Sequence, residues 1–364
     1  MFEIIFLVLV SGYFLISVIL ITGVKKKFPK INEADLPFVT VIVAARNEEE
    51  NILSCLKSLD ALVYPENKIE IIIADDCSAD KTGELVEQFI FDKRKFQLIS
   101  LSNENVSSLK GKVRAVAEAV KKAKGEIILT TDADCLISPP WAKTIASYYT
   151  ENVGVVNGFT TQNTKDIFSG MQAIDFIYLL FIASGTINIG KPVSCIGNNM
   201  SFRKKAYEET GGFENLPFSV TEDFLLLNSI HNLKKYKAIY PLDKEALVIT
   251  RPCKNLKELF SQKKRWAVGG LDSSLHGFVL MTCAFLTNIF VLLTPFFLSP
   301  VWIYLLLFKI GIDLFSLFPI HQKLGLQKNL KYFPVFEIYY LIYVAVLPFV
   351  ILFSKKVKWK DRVY

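Results

Sequence analysis

Residues 126–134 read Glu-Ile-Ile-Leu-Thr-Thr-Asp-Ala-Asp: a short apolar run that ends in two carboxylates, Asp132 and Asp134. The run is β-branched and too short for a helix, so it reads as a buried strand. Residues 38–45 (FVTVIVAA) and 69–74 (IEIIIA) have the same character, and 96–101 makes another strand. Helical spacing fills the gaps, through Leu53, Leu56 and Leu59, then around 81–92, then around 112–124. Strands alternating with helices predict an α/β domain on a mostly parallel, Rossmann-like sheet buried on both faces. Ligands of such sheets bind beyond the carboxyl ends of the strands. Glu48, Asp75-Asp76 and Asp132-Asp134 all fall at such ends, which is the reason to group them.

Outward from this domain the chain turns apolar. It is 51% hydrophobic with a net charge of +7, too apolar for an ordinary soluble domain and too charged for a bare membrane bundle. Residues 1–24 suffice for one membrane helix, which needs roughly 20 apolar residues. No basic stretch precedes them, so a retained anchor is expected rather than a cleaved signal. Lys25, Lys26, Lys27 and Lys30 follow, which predicts that residues 25–276 form a cytoplasmic domain on the inner face of the cell membrane. Residues 277–353 form a second membrane region of two or three spans, interrupted near Ser299-Pro300. The basic tail 354–364 carries Lys355, Lys356, Lys358, Lys360 and Arg362. Three spans would put this tail outside, against its charge, so 277–298 or 333–353 is expected to be re-entrant or interfacial. Trp302, Tyr304, Tyr339, Tyr340 and Tyr343 are candidates for interfacial belts or helix packing, and Lys309 and Asp313, four apart, for a helix-face pair. The apolar stretch 167–190 contains Asp175, Gly170, Ser184 and Gly185, which predicts a helix packed beneath the sheet or on the membrane face rather than a further span.

Six scattered cysteines without a C-x-x-C spacing argue against a zinc site and a disulfide framework. No basic stripe interleaved with aromatics marks a nucleic-acid surface; the positive charge belongs to lysines that flank the membrane.

Each motif has a chemical and a plainer reading. Asp132 and Asp134 stand at the spacing that lets carboxylates share Mg2+ or Mn2+ with diphosphate oxygens; elsewhere a D-x-D is a turn or cap. Asp76 can accept a base N–H or a ribose hydroxyl, or belong to a cap with Ser78 and Asp80. Lys110-Gly111-Lys112 opens a helix and can meet a phosphate, or be a solvated charge run. Glu222-Asp223 opens another helix after Thr221: Asp223 is either a general base for an acceptor hydroxyl or a favourable charge at a helix start. Gln262, Arg265 and Trp266 share one face of a helix over 255–270, with Arg265 suited to a diphosphate and Trp266 to an acceptor or the membrane interface. Lys263 and Lys264 read as lipid-facing charges.

Together V-A-A-R-N-E-E, A-D-D-C-S-A-D, G-K-V-R-A-V, T-T-D-A-D, G-N-N-M-S-F-R, T-E-D and Q-K-K-R-W, across residues 38–270, resemble the motif set of membrane-bound family 2 glycosyltransferases with a GT-A catalytic domain. Ceramide glucosyltransferases and the cellulose, hyaluronan and poly-N-acetylglucosamine synthases have a similar set. The resemblance implies inverting transfer of a hexose from a UDP-sugar. It implies that Glu48, Asp76 and Lys112 hold the UDP moiety, that Asp132 and Asp134 serve nucleotide and metal, and that Asp223 is the base. Gln262, Arg265 and Trp266, with Glu222, would hold the diphosphate and acceptor end. The membrane segments point to a lipid or lipid-linked acceptor. The alternatives are a processive polysaccharide synthase and a non-catalytic membrane adaptor. Two departures stand out: Ala-Arg-Asn-Glu where Pro-x-Tyr-Asn-Glu is common, and W-K-D-R (Trp359 to Arg362) where W-K-G-R is usual.

Overall fold

The computed structural model describes residues 1–102, 109–217, 219–297, 299–354 and 356, and the backbone of 358–359 and 362–363. After α1 (Phe2–Val24), the strands β1 (Val39–Ala45), β2 (Ile69–Asp75), β3 (Phe96–Ser100) and β4 (Ile127–Asp132) lie where the apolar runs predict. Between them run α2 (Ile52–Asp60), α3 (Thr82–Ile90) and α4 (Lys112–Lys122). β1 pairs parallel with β2 and β4, and β2 with β3. Val41, Ile42 and Val43, and Ile71, Ile72 and Ile73, are wholly buried, because helices cover both faces of this part of the sheet. Ala45 lies opposite Asp75 and Ala44 opposite Asp132, so the carboxyl ends are level and their acids meet on one edge.

The second half of the domain holds β5 (Leu136–Ile137), α5 (Trp141–Ser147), β6 (Val153–Asn157), β7 (Thr160–Gln162), α6 (Ile167–Asn188), β8 (Met200–Arg203), α7 (Lys204–Glu209), α8 (Glu222–Asn232), β9 (Lys237–Ile239), β10 (Val248–Thr250) and α9 (Leu256–Gly269). Each of these strands has five residues or fewer, too short for periodicity to show in the sequence. The main sheet has the order β3-β2-β1-β4-β8-β6-β9, with β8 antiparallel to both neighbours. A small sheet, β5-β10-β7, sets Thr250 opposite Gln162.

Beyond α9 come α10 (Leu275–Leu292), α11 (Pro300–Leu324) and α12 (Phe333–Phe353). Among the described residues, five helical segments are long and apolar enough to cross a membrane: Phe2–Val24, Ile167–Asn188, Leu275–Phe296, Pro300–Leu324 and Gln327–Phe353. The second of them, α6, is mostly enclosed by protein: it packs on α1, α11 and α12 as well as on β7 and β9. It joins the catalytic sheet to the apolar helices. At its crossing with α1 a Cβ on Gly23 would lie 2.4 Å from the Gly185 carbonyl oxygen, and a Cβ on Gly185 2.9 Å from Leu20. Glycine is required there by close backbone approach. Gly185→Leu is expected to cost about 1–3 kcal/mol by overpacking, read as a lower Tm in detergent.

Of the two places open to the aromatics of the membrane region, Trp302 takes the one between helices: it is wholly buried, stacked on Phe290 and Phe297 with centroids at 5.8 and 4.7 Å. Tyr340 is buried too, against Tyr178 and Phe336, whereas Tyr304 stays exposed. Lys309 and Asp313 do pair, at 2.7 Å, and Glu337 from α12 joins Lys309 at 2.9 Å. Charges in an apolar bundle persist only when paired like this. The tail with its Trp359–Arg362 motif lies outside the described residues, apart from Ser354, Lys356 and the paired backbone of 358–359 with 362–363.

Candidate active site

The site begins at the level strand ends. Gly111 adopts φ +63°, a conformation that favours glycine, and turns the chain into α4. The first residue of that helix, Lys112, contacts the carboxylate of Asp132 at the end of β4. Burial opposes charge on this lysine, but Asp132, Glu222 and Asp223 outweigh it and hold its pKa above the usual value. Lys112 is therefore a firm ammonium. Asp76 is buried between two guanidinium groups, Arg114 at 3.1 Å and Arg46 at 3.6 Å, and Arg46 also donates to the Asp76 carbonyl at 2.8 Å. Glu48 accepts from Asn51 at 2.6 Å, and its own backbone N–H donates to the Thr82 hydroxyl at 2.8 Å, tying the loop after β1 to α3. Asp134 accepts from the Thr250 hydroxyl at 3.3 Å, so the small sheet helps to set its direction.

Glu222 and Asp223 form the first turn of α8. Thr221 takes the N-cap place, yet its hydroxyl meets Ser219 and makes no capping bond. Asp223 instead accepts the Phe224 N–H at 2.8 Å. Gly197 keeps its loop tight against this carboxylate, since a Cβ there would lie 3.1 Å from the Asp223 oxygen. Burial raises the pKa of both acids, and the neighbouring Asp223 raises that of Glu222 further. The Cys195 thiol is also pushed up, by burial and then by these acids, so it stays protonated.

α9 is capped by Asn255, whose side chain accepts the Glu258 N–H at 3.0 Å. Gln262, Arg265 and Trp266 of α9, Glu222 and Asp223 of α8, and Glu48, Asp76, Lys112, Asp132 and Asp134 at the strand ends all line one cavity of about 930 Å3. Residues separated by more than two hundred positions meet here. From the acids the cavity runs on between α10 and α12, past Met281, Phe285, Leu347 and Ile351.

This constellation has known relatives. The chain matches Glycosyl transferase family 2 over residues 40–211 and Glycosyl transferase family group 2 over residues 127–354. The chain is a family 2 glycosyltransferase. It is 27% identical over 290 residues to the poly-beta-1,6-N-acetyl-D-glucosamine synthase of Staphylococcus aureus, covering 78% of this chain and 67% of that one. It is 28% identical over 258 residues to the probable glycosyltransferase YdaM of Bacillus subtilis, covering 67% of this chain and 58% of that one. Its GT-A fold is shared with a mannosyltransferase of Pyrobaculum calidifontis solved with GDP-Man and Mn2+, at 20% identity and a TM-score of 0.62, across 92% of this chain and 98% of that one.

In this glycosyltransferase the basic motif departs from its sequence reading at one place. Lys263 is no lipid-facing charge. It is buried, ion-paired with Asp175 of α6, and lies over the Trp266 and Tyr343 rings at 4.6 and 5.1 Å. Tyr343 of α12 donates to the other Asp175 oxygen at 3.1 Å. Trp266 packs edge-on against Phe176 at 5.6 Å and still lines the cavity. The sequence reading also gave no role to Arg46 and Arg114, although each stands two residues from an assigned side chain.

The raised carboxyl pKa values have a consequence for the transferase. Acting as a general base, Asp223 would work only when ionised, and activity would then fall as pH drops through its folded-state pKa. Because that pKa is raised, the acidic limb of the kcat/KM profile is expected above the ordinary carboxylate range. A limb at the ordinary value would remove Asp223 and Glu222 from the rate law.

Proposed function

We propose that this enzyme moves a hexose, with inversion, from a UDP-sugar to a lipid or lipid-linked acceptor at the cytoplasmic face of the cell membrane. The observation that carries this is the cavity's continuity: the strand-end acids and the α8 acids open directly into the groove between α10 and α12. An acceptor whose tail lies among those helices would present its reacting group beside Asp223. Glu48, Asp76 and Lys112 are assigned to the nucleotide. Gln262 and Arg265 are assigned to the diphosphate, which suits a guanidinium fork, and Trp266 with Glu222 to the acceptor end.

The acids also suit a metal. Among the described residues no group of three or more His, Cys, Asp and Glu side chains is placed to hold an ion. Asp132 and Asp134, two oxygen donors beside the diphosphate site, fit a hard cation such as Mg2+ or Mn2+ that takes its other ligands from the donor substrate. When bound, such an ion neutralises the charge that develops on the departing diphosphate. The relative solved with Mn2+ is consistent with this assignment. Chelation with EDTA is expected to abolish transfer and Mn2+ or Mg2+ to restore it; undiminished turnover in EDTA would remove the metal from the scheme.

The poly-beta-1,6-N-acetyl-D-glucosamine synthase relatives favour a second reading, a processive synthase. Product length separates the two. Detergent-purified enzyme would be incubated with total membrane lipid, a panel of UDP-sugars and Mn2+, following lipid masses and UDP release. One added hexose on a lipid supports single transfer; a polymer ladder supports the synthase.

A further inference from the structure

Resting on the reading of the donor as a UDP-sugar, we infer that Gln162 binds a hydroxyl of the transferred hexose and so sets which donor epimer the enzyme prefers. Three observations carry this. First, Gln162 lines the cavity yet is only 3% exposed, and its side-chain carbonyl oxygen has no hydrogen-bond partner among the described residues. Buried polar groups are nearly always paired, because an unpaired carbonyl has given up its water for nothing. An unpaired buried amide in a cavity wall has the character of a binding group whose partner arrives with the ligand.

Second, its strand places it at the sugar end. Thr160 and Gln162 share one face of β7, since side chains two apart on a strand point the same way. The Thr160 hydroxyl donates to Asn198 at 2.9 Å, and the neighbouring Gly197 packs on Asp223. Across the small sheet Gln162 lies opposite Thr250, whose hydroxyl donates to Asp134 at 3.3 Å. Gln162 is therefore linked through Thr250 to an acid assigned to the metal, and through Asn198 to the α8 acid assigned to the acceptor. Asp76, assigned to the nucleotide, follows β2, which is separated from β4 by β1. The hexose connects the diphosphate to the attacking acceptor, so its place is between Asp134 and Asp223.

Third, the group suits a sugar. A primary amide is uncharged and offers both a carbonyl acceptor and N–H donors. A hydroxyl donates and accepts, and so can satisfy it. An epimer that carries the hydroxyl on the other side of the ring leaves the buried carbonyl unpaired, which is the physical basis of rejection.

The test assays full-length enzyme in detergent, with total membrane lipid and Mn2+, for UDP release. The donors are UDP-glucose, UDP-galactose, their 2-acetamido counterparts, and the monodeoxy forms of whichever one the parent prefers. In the parent, loss of one hydroxyl is expected to lower kcat/KM by about tenfold, the equivalent of one hydrogen bond. Gln162→Met keeps the length of the side chain and removes the amide. It is expected to lower kcat/KM for the preferred donor by about tenfold, to abolish the penalty at that one deoxy position, and to narrow the preference between epimers by a similar factor. Inhibition by free UDP, the Mn2+ requirement and Tm are expected to stay close to those of the parent. Deoxy penalties that persist unchanged in the variant overturn the inference. So does a loss of UDP affinity as large as the loss for the sugar donor, which would make Gln162 a nucleotide or packing residue. A higher Mn2+ requirement with unchanged epimer preference overturns it in favour of a metal ligand. A parent indifferent to every single deoxygenation overturns it without any variant. A parent that releases UDP from none of these donors overturns the UDP-sugar reading and the inference together.

Discussion

Asp223→Asn is expected to lower kcat by about 10²–10⁴-fold while leaving donor binding and thermal stability close to those of the parent. The substitution keeps the volume of the side chain, and the amide oxygen can still accept the Phe224 N–H that the carboxylate accepts at 2.8 Å. It removes the negative charge and with it the capacity to take a proton. Because burial raises the pKa of Asp223 in the folded protein, the ionised form costs more there than in water, and the neutral amide relieves that cost. A slight gain in Tm alongside the loss of turnover is the expected combined signature. The measurement is UDP release under saturating donor and acceptor, with differential scanning fluorimetry on the same preparations. Turnover within threefold of the parent would exclude Asp223 as the base and turn attention to Glu222.

The second large effect concerns the buried pair of Lys263 and Asp175. Removing one partner leaves the other charge uncompensated in the interior, which costs about 3–5 kcal/mol. Lys263→Met and Asp175→Leu are each expected to lower Tm steeply. The double variant, with both charges gone and the volume filled, is expected to recover most of the loss. Lys263 also lies against the Trp266 and Tyr343 rings, so the pair holds α9 to α6 and α12 at once. Activity in the stable double variant then reports whether the charges are needed beyond holding these helices together. Single variants as stable as the parent would show that water reaches the pair.

The sequence was most legible where chemistry is local. Strands β1 to β4 could be read because a strand buried on both faces needs an uninterrupted apolar run, and such runs stand out from their polar flanks. The acids at their ends could be grouped because parallel strands must end on one edge. The helix face shared by Gln262, Arg265 and Trp266 follows from the helical repeat alone. Apart from Asp75, the side chains so grouped, together with Lys112, Glu222 and Asp223 from the motif resemblance, line a single cavity. β8 escaped notice because four residues carry no period, and its antiparallel place between β4 and β6 follows from nothing local.

What the chain determined by itself was therefore the domain type, the strand-end carboxylates, the basic helix and the apolar ends, all set by short-range pattern. What only the tertiary structure decided was which partner each charge meets. Lys263 looks like a surface lysine until Asp175, 88 positions away, covers it. Asp76 becomes a guanidinium-clamped carboxylate only when Arg46 and Arg114 converge on it from two elements. Glu337 joins Lys309 and Asp313 only because α12 packs beside α11. The helical repeat says which side chains share a face; what covers that face depends on long-range packing, and the cost of burying a bare charge then selects the partner.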